Sequence, residues 1–170
     1  MGWTLDKMDS SYLPIYLAAG WAIVLGVAGG LMTPLGTWYD TLRKPPWQPP
    51  DWLFGPAWTV ILGLAAWSAA GSWYAAQTDS QRMTVVVLFA VNGVLHFLWS
   101  PLFFRLRRPD WALVEVVFLW GSLVALVAGL WPISPLGSLL ILPYLAWVSF
   151  AAFLNLTIVR LNAPFGRPAG

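Results

Sequence analysis

The chain has 170 residues, of which 59% are hydrophobic, 16% aromatic and only 9% charged, with a net charge of +2. Soluble domains carry about 25% charged residues, so a water-soluble domain of this size is excluded because its charges could not cover its surface. Cysteine is absent and His96 is the only histidine, which excludes disulfides, thiolate chemistry and a histidine-based metal cluster within one chain; the nine basic residues form no clustered face of the kind nucleic acid requires.

Five apolar stretches are long enough to cross about 30 Å of hydrocarbon as helices. The first is Leu13–Met32. Met1–Ser10 before it carries Asp6, Lys7 and Asp9 and lacks the basic start of a signal peptide, so the span is expected to be retained. Pro14 is expected in or near its first turn. Ala18, Ala22, Gly26 and Gly30 repeat every fourth residue, a small-residue stripe that lets helices approach closely in lipid. Residues 33–51 form a 19-residue connection with five prolines and three aromatics. So long a connection in a compact bundle is functional or disordered, and its prolines make it stiff.

The second span is Trp52–Ala76, with Pro56 near its first turn. The third is Met83–Phe104; it holds Asn92 and, one turn later on the same face, His96. Pro101 predicts a kink near its end. The fourth, Trp111–Trp131, contains Glu115, the only formal charge within the five spans, and a second small-residue stripe of Gly121, Ala125 and Gly129. The fifth, Leu136–Val159, contains Pro143, where a kink is predicted, and Asn155. Residues 77–82, 105–110 and 132–135 are tight connections, so the helices they join are antiparallel neighbours. Barrel strands would be shorter and would alternate strictly. The expected fold is therefore all-α: one integral membrane domain, residues 1–170, built as a five-transmembrane-helix bundle.

Basic residues orient it. One side holds Lys7 and Arg82; the other holds Arg43, Lys44, Arg105, Arg107, Arg108, Arg160 and Arg167. By the positive-inside rule, a chain in an inner membrane has its N-terminus outside and its long loop and C-terminus in the cytoplasm.

The 13 tryptophans are the anomaly. Trp38, Trp47, Trp52, Trp73, Trp99, Trp111 and Trp131 lie near span ends or in the long loop and read mostly as interfacial anchors. Trp21, Trp58, Trp67, Trp120 and Trp147 lie deeper. Such residues either fill the core or line a flat apolar cavity suited to a planar ligand such as a porphyrin or a rigid sterol. Glu115 has two readings: a pairing with Arg107 or Arg108 near the interface, or a functional intramembrane carboxylate. His96 likewise reads as an interhelical hydrogen-bonding group, or as a porphyrin-metal ligand or proton carrier. Phosphate loops, nucleophile elbows, zinc-protease motifs and triad material are all missing. The residues point to a ligand-binding protein, with no catalytic residue and no metal site of its own.

Several blocks then carry a resemblance. They are Trp38-Tyr39-Asp40, Lys44-Pro45-Pro46-Trp47-Gln48-Pro49-Pro50, Phe54-Gly55-Pro56-Ala57-Trp58, Trp99-Ser100-Pro101-Leu102-Phe103-Phe104, Leu142-Pro143-Tyr144-Leu145-Ala146-Trp147, Leu154-Asn155 and Arg160-Leu161-Asn162. In this order they resemble the translocator protein family, also called the tryptophan-rich sensory protein (TspO) or peripheral-type benzodiazepine receptor family, over nearly the whole chain. The resemblance implies a homodimeric five-helix bundle whose first loop folds over a ligand pocket. It implies binding of porphyrins, protoporphyrin IX or haem, and of sterol-like ligands in some members, with a regulatory or transport-linked role in tetrapyrrole metabolism or stress. No cofactor is required. The rival readings are a light-dependent porphyrin-degrading enzyme and a lipid-filled scaffold acting through partner contacts. Carried over by residue, the ligand-binding set is Tyr39, Trp47, Trp58, Trp147 and Ala151. The family's pocket asparagine, three residues before the tryptophan of the Trp-Ser block, is replaced here by His96, with Asn92 a turn earlier, so either can be the polar anchor. The family's sterol motif survives as Leu154 and Arg160 without its tyrosine.

Overall fold

The computed structural model describes residues 5–166, with side chains from Tyr12 onward. The Lys7 side chain and Arg167, both part of the charge count, lie outside the described residues. The helices are α1 (Leu5–Leu31), α2 (Thr37–Thr41), α3 (Phe54–Ala75), α4 (Asp79–Ser100), α5 (Pro109–Leu130) and α6 (Pro135–Asn162), with no strand among the described residues. Five of them are long and apolar enough to cross a membrane, so the all-α, multi-pass architecture expected from hydropathy is the one observed.

The helix ends follow local chemistry. Thr78 Oγ1 accepts from the Gln81 N–H at 3.2 Å and starts α4. Ser134 Oγ accepts from the Gly137 N–H at 3.1 Å and starts α6, and Pro135 and Pro109 occupy first turns where no N–H is needed. Three boundaries differ from the sequence expectation. Helix α1 begins at Leu5, upstream of the apolar stretch, and Pro14 lies inside it; hydropathy marks where apolar sequence starts, and a polar segment can extend the same helix. The 33–51 connection contains α2 and ends in a 3-10 turn, Asp51–Leu53, that leads into α3. At Pro101 the chain widens into a π turn, Pro101–Arg105. Proline cannot donate to the carbonyl four residues back, and the Leu106 N–H reaches the Pro101 carbonyl at 2.9 Å instead.

The helices pack in a closed circuit, α1 on α3, α3 on α6, α6 on α5, α5 on α4 and α4 on α1. Polar side chains fasten the interior: Ser68 Oγ donates to the Gly137 carbonyl and Ser138 Oγ to the Val127 carbonyl, both at 2.7 Å. Such bonds matter because lipid offers no alternative partner. The α1 stripe faces inward in part, since a Cβ at Gly26 would sit 3.6 Å from Leu62 of α3. Gly93 is needed where α4 meets α1: a Cβ there would come within 2.5 Å of the Trp21 indole Nε1.

Alternating helix directions put the long loop, the π turn and the end of α6 at one end of the bundle, and the 76–78 and 131–134 connections at the other. Single cysteines at the exposed Thr37 and Thr78 are therefore expected to label with a membrane-impermeant thiol reagent from opposite sides. In inner-membrane vesicles Thr37 should label from the cytoplasmic face, following the basic-residue count. Labelling of both positions from one side would overturn this topology.

Candidate functional site

A cavity of about 810 Å³ lies inside the circuit, in the half of the bundle nearer the long loop. Its volume falls within the range of about 300–1,000 Å³ typical of small-molecule sites. All five long helices contribute to it, as do the loop residues Tyr39 and Asp51.

Trp58, in the second turn of α3, is the hub of the aromatic wall. Its ring stands edge-on to His96 at 4.8 Å, to Tyr144 at 5.8 Å and to Trp147 at 6.3 Å between centroids. Trp147 leans on Phe54 at 5.7 Å and on Phe150 at 5.6 Å. On the facing side the π turn stacks Phe103 beneath Trp99 at 5.0 Å. The polar equipment is sparse. Trp99 and Trp147 both line the cavity, and their buried indole N–H groups have no hydrogen-bond partner among the described residues. His96 also lines the cavity, and its Nδ1 is bonded to the Tyr144 hydroxyl at 2.6 Å.

The loop is seated by side chains rather than by regular structure. Tyr39 is buried, and its hydroxyl donates to Asp51 Oδ1 at 3.1 Å. Gln48 Nε2 donates to the Tyr39 hydroxyl at 3.1 Å and to Asp51 Oδ1 at 3.2 Å. Lys44 Nζ lies 3.5 Å from the centre of the Tyr39 ring. Beyond the cavity, Asn162 at the end of α6 accepts from the Arg43 N–H and donates to the Arg43 carbonyl, both at 2.8 Å. That reciprocal pair ties the loop to α6.

Burial, reinforced by the Asp51 carboxylate, pushes the Tyr39 phenol up from 10 to about 12. An unfolded tyrosine loses its proton near pH 10. Between pH 10 and 12 the folded state therefore holds the extra proton, so the stabilisation is complete below pH 10 and is lost as pH rises towards 12. Relative to Tyr39→Phe, the wild-type thermal midpoint is expected to fall across that window. A relative fall already complete well below pH 10 would refute this assignment.

The structure brings Tyr39, Trp58, His96, Trp147, Ala151 and Leu154 to one cavity. Asn92 is fully buried behind the wall, donating from Nδ2 to Ser122 Oγ at 2.9 Å, which leaves His96 as the polar group of that pair facing the cavity. Trp47 lies outside it, stacked on Phe153 at 5.3 Å and edge-on to Phe150 at 6.0 Å. Arg160 is exposed at the end of α6 while Leu154 is buried, so these two sterol-motif positions do not share a surface. The pairing expected for Glu115 is not formed. Arg108 bonds Asp110 instead, at 2.8 and 2.5 Å, Arg107 stands over the Trp38 ring at 6.0 Å, and both Glu115 carboxylate oxygens are buried without a partner among the described residues.

Sequence reasoning missed Phe54, Trp99, Phe104, Asp51 and Asn155 as cavity residues. Trp99 was legible only as a span-end tryptophan; the π turn after it brings Phe103 against it from within. Phe54, Trp99 and Phe104 do fall inside the motif blocks, and that was the available signal.

Long apolar helices around an aromatic-walled cavity, with a tied-down loop that contributes to its lining, define a multi-pass membrane protein with an internal ligand-sized chamber. Residues 18–161 match the TspO/MBR family. The chain is 39% identical over 157 residues to "Tryptophan-rich protein TspO" of Chlorobaculum tepidum, covering 91% of this chain and 99% of that one. It is 36% identical over 155 residues to "Protein CrtK" of Rhodobacter capsulatus, covering 91% and 95%. It is 35% identical over 169 residues to "Translocator protein" of Sus scrofa, covering 96% and 97%. The chain belongs to the TspO/MBR family.

Proposed function

We propose that the chain is a membrane receptor that binds a porphyrin-type tetrapyrrole in the loop-capped cavity, with a regulatory or transport-linked role in tetrapyrrole metabolism or stress response. The observation that carries this reading is the wall itself: Trp58, Trp147 and Trp99 line one apolar chamber of about 810 Å³ with few polar groups. A flat macrocycle gains ring contacts and apolar burial there while needing few hydrogen bonds. Membership of a family that includes a protein named as a tryptophan-rich sensory protein, from Cereibacter sphaeroides, supports a receptor role.

The test is quenching of tryptophan fluorescence in the purified protein by protoporphyrin IX and, in parallel, by a sterol. Saturable quenching by the porphyrin is expected. Absence of quenching by any member of a porphyrin panel would overturn the reading in favour of a lipid-filled scaffold. Illumination of the complex separates binder from enzyme, because a binder returns its ligand unchanged. Rigid sterols suit the same apolar chamber, and competition between the two ligands is the expected sign of a shared site.

A homodimer belongs to this proposal. On α5, Gly121 has open space where a side chain would project, beside the exposed Val117, Phe118 and Val124, and such a surface allows a second helix to approach closely in lipid. Gly121→Leu is expected to abolish crosslinked dimer without altering the monomer's fold. An unchanged dimer would place the interface elsewhere.

A further inference from the structure

We propose that His96 is an axial ligand, through Nε2, to the metal of a metalloporphyrin seated in the cavity. The proposal rests on the porphyrin reading above and narrows it to macrocycles that carry a metal with an open axial position.

The imidazole is held as a metal-binding imidazole is held. Metal-ligating histidines bind through one ring nitrogen while the other is fixed by a hydrogen bond to the protein, which sets both orientation and tautomer. Here Nδ1 is the fixed nitrogen, at 2.6 Å from the Tyr144 hydroxyl. Nε2 has no hydrogen-bond partner among the described residues, and the ring lines the cavity. Trp58 stands edge-on to the imidazole at 4.8 Å with an interplanar angle of 83°, and Tyr144 packs against it at 79°. The ring is thus confined on two sides.

The tautomer follows from what lies behind Tyr144. For Nε2 to present a lone pair, the Nδ1–H must donate to the Tyr144 oxygen, and the tyrosine proton must then find another acceptor. Asn92 lies beside Tyr144, and its buried Oδ1, which has no hydrogen-bond partner among the described residues, is the acceptor that this proton would take. Asn92 is itself oriented by donating to Ser122 Oγ at 2.9 Å, and Ser122 donates in turn to the Leu119 carbonyl at 2.7 Å. In that arrangement α5 orients Asn92, and Asn92 and Tyr144 together would set the tautomer of the imidazole. In the opposite tautomer Nε2–H would be a simple donor, and His96 would treat metal-bearing and metal-free macrocycles alike. That contrast makes the proposal testable.

The chain has one histidine and no cysteine, so an imidazole signature in tag-free protein can arise only from His96. The experiment titrates tag-free protein, in detergent or lipid discs, with ferric protoporphyrin IX, zinc protoporphyrin IX and free-base protoporphyrin IX. Electron paramagnetic resonance and magnetic circular dichroism then report the axial ligand of the iron. Wild type is expected to show imidazole ligation. His96→Ala is expected to lose that signature and about tenfold or more in affinity for both metal-bearing ligands, with free-base affinity nearly unchanged. Added imidazole should restore the signature in His96→Ala. Tyr144→Phe should keep the ligation but alter the ligand field, because it acts through His96. Free-base binding controls for folding, and His96→Asn, which keeps a polar side chain, should behave as His96→Ala does.

An iron spectrum identical in wild type and His96→Ala would overturn the proposal, as would equal losses for metal-bearing and free-base ligands. Free-base binding to wild type without imidazole ligation of iron would overturn it while leaving the porphyrin reading intact. If none of the three macrocycles bound wild type, both would fall together.

Discussion

Replacing Trp58 and Trp147 together by alanine is expected to lower porphyrin affinity about a hundredfold, roughly 2.7 kcal/mol. The two indoles come from α3 and α6 and meet edge-on at 6.3 Å, so together they form a corner of the cavity wall rather than one flat face. A macrocycle against that corner loses two ring contacts at once, each worth about 0.5–1.5 kcal/mol beyond its area. The single changes should not simply add, because the two rings touch each other and line a shared space. The measurement is a titration followed by porphyrin absorbance, since the substitutions remove part of the intrinsic fluorescence. An affinity within twofold of wild type, in protein that remains monodisperse, would place the ligand elsewhere.

The bundle was readable from sequence because hydropathy directly reports what lipid demands. A stretch such as Trp111–Trp131 has no other stable home, and α5 at Pro109–Leu130 nearly coincides with it. The site was readable only in part. Which face of a helix a tryptophan occupies depends on its neighbours. Trp67 is deep in its span yet 63% exposed on the outer surface, whereas Trp99 sits near a span end and lines the cavity. Local distortions shift such assignments further, and the π turn at Pro101 alters the helical phase of everything after it. Charge pairing was equally illegible: Arg107 adopts a left-handed φ of 54° and stands over Trp38, while Arg108 is taken by Asp110, so neither serves Glu115. The loop's seat depends on contacts between residues 119 positions apart, Arg43 and Asn162, and no local pattern announces those.

Asn155→Leu is expected to destabilise the bundle by about 1–2 kcal/mol, the net worth of two hydrogen bonds that join α6 to α5. Asn155 is 1% exposed, late in α6. With its amide oriented to satisfy both groups, Nδ2 donates to the Pro109 carbonyl at 3.1 Å and Oδ1 accepts from the Leu113 N–H at 3.1 Å. Those two groups lie four residues apart at the start of α5 and also pair with each other as a helix turn does, so the amide adds a second partner to each and ties that helix start to α6. Leucine is close in size and apolar, and it fills the space without replacing either bond. Water, which would repair such a loss at a soluble surface, is scarce within the bilayer. Because Asn155 also lines the cavity, the same change should weaken porphyrin binding, and Asn155→Gln should recover part of both losses by keeping the amide. The check is the thermal midpoint in a fixed detergent, read beside a porphyrin titration. A midpoint equal to wild type would show that α5 starts without help from α6, and that the amide does not hold this corner of the cavity.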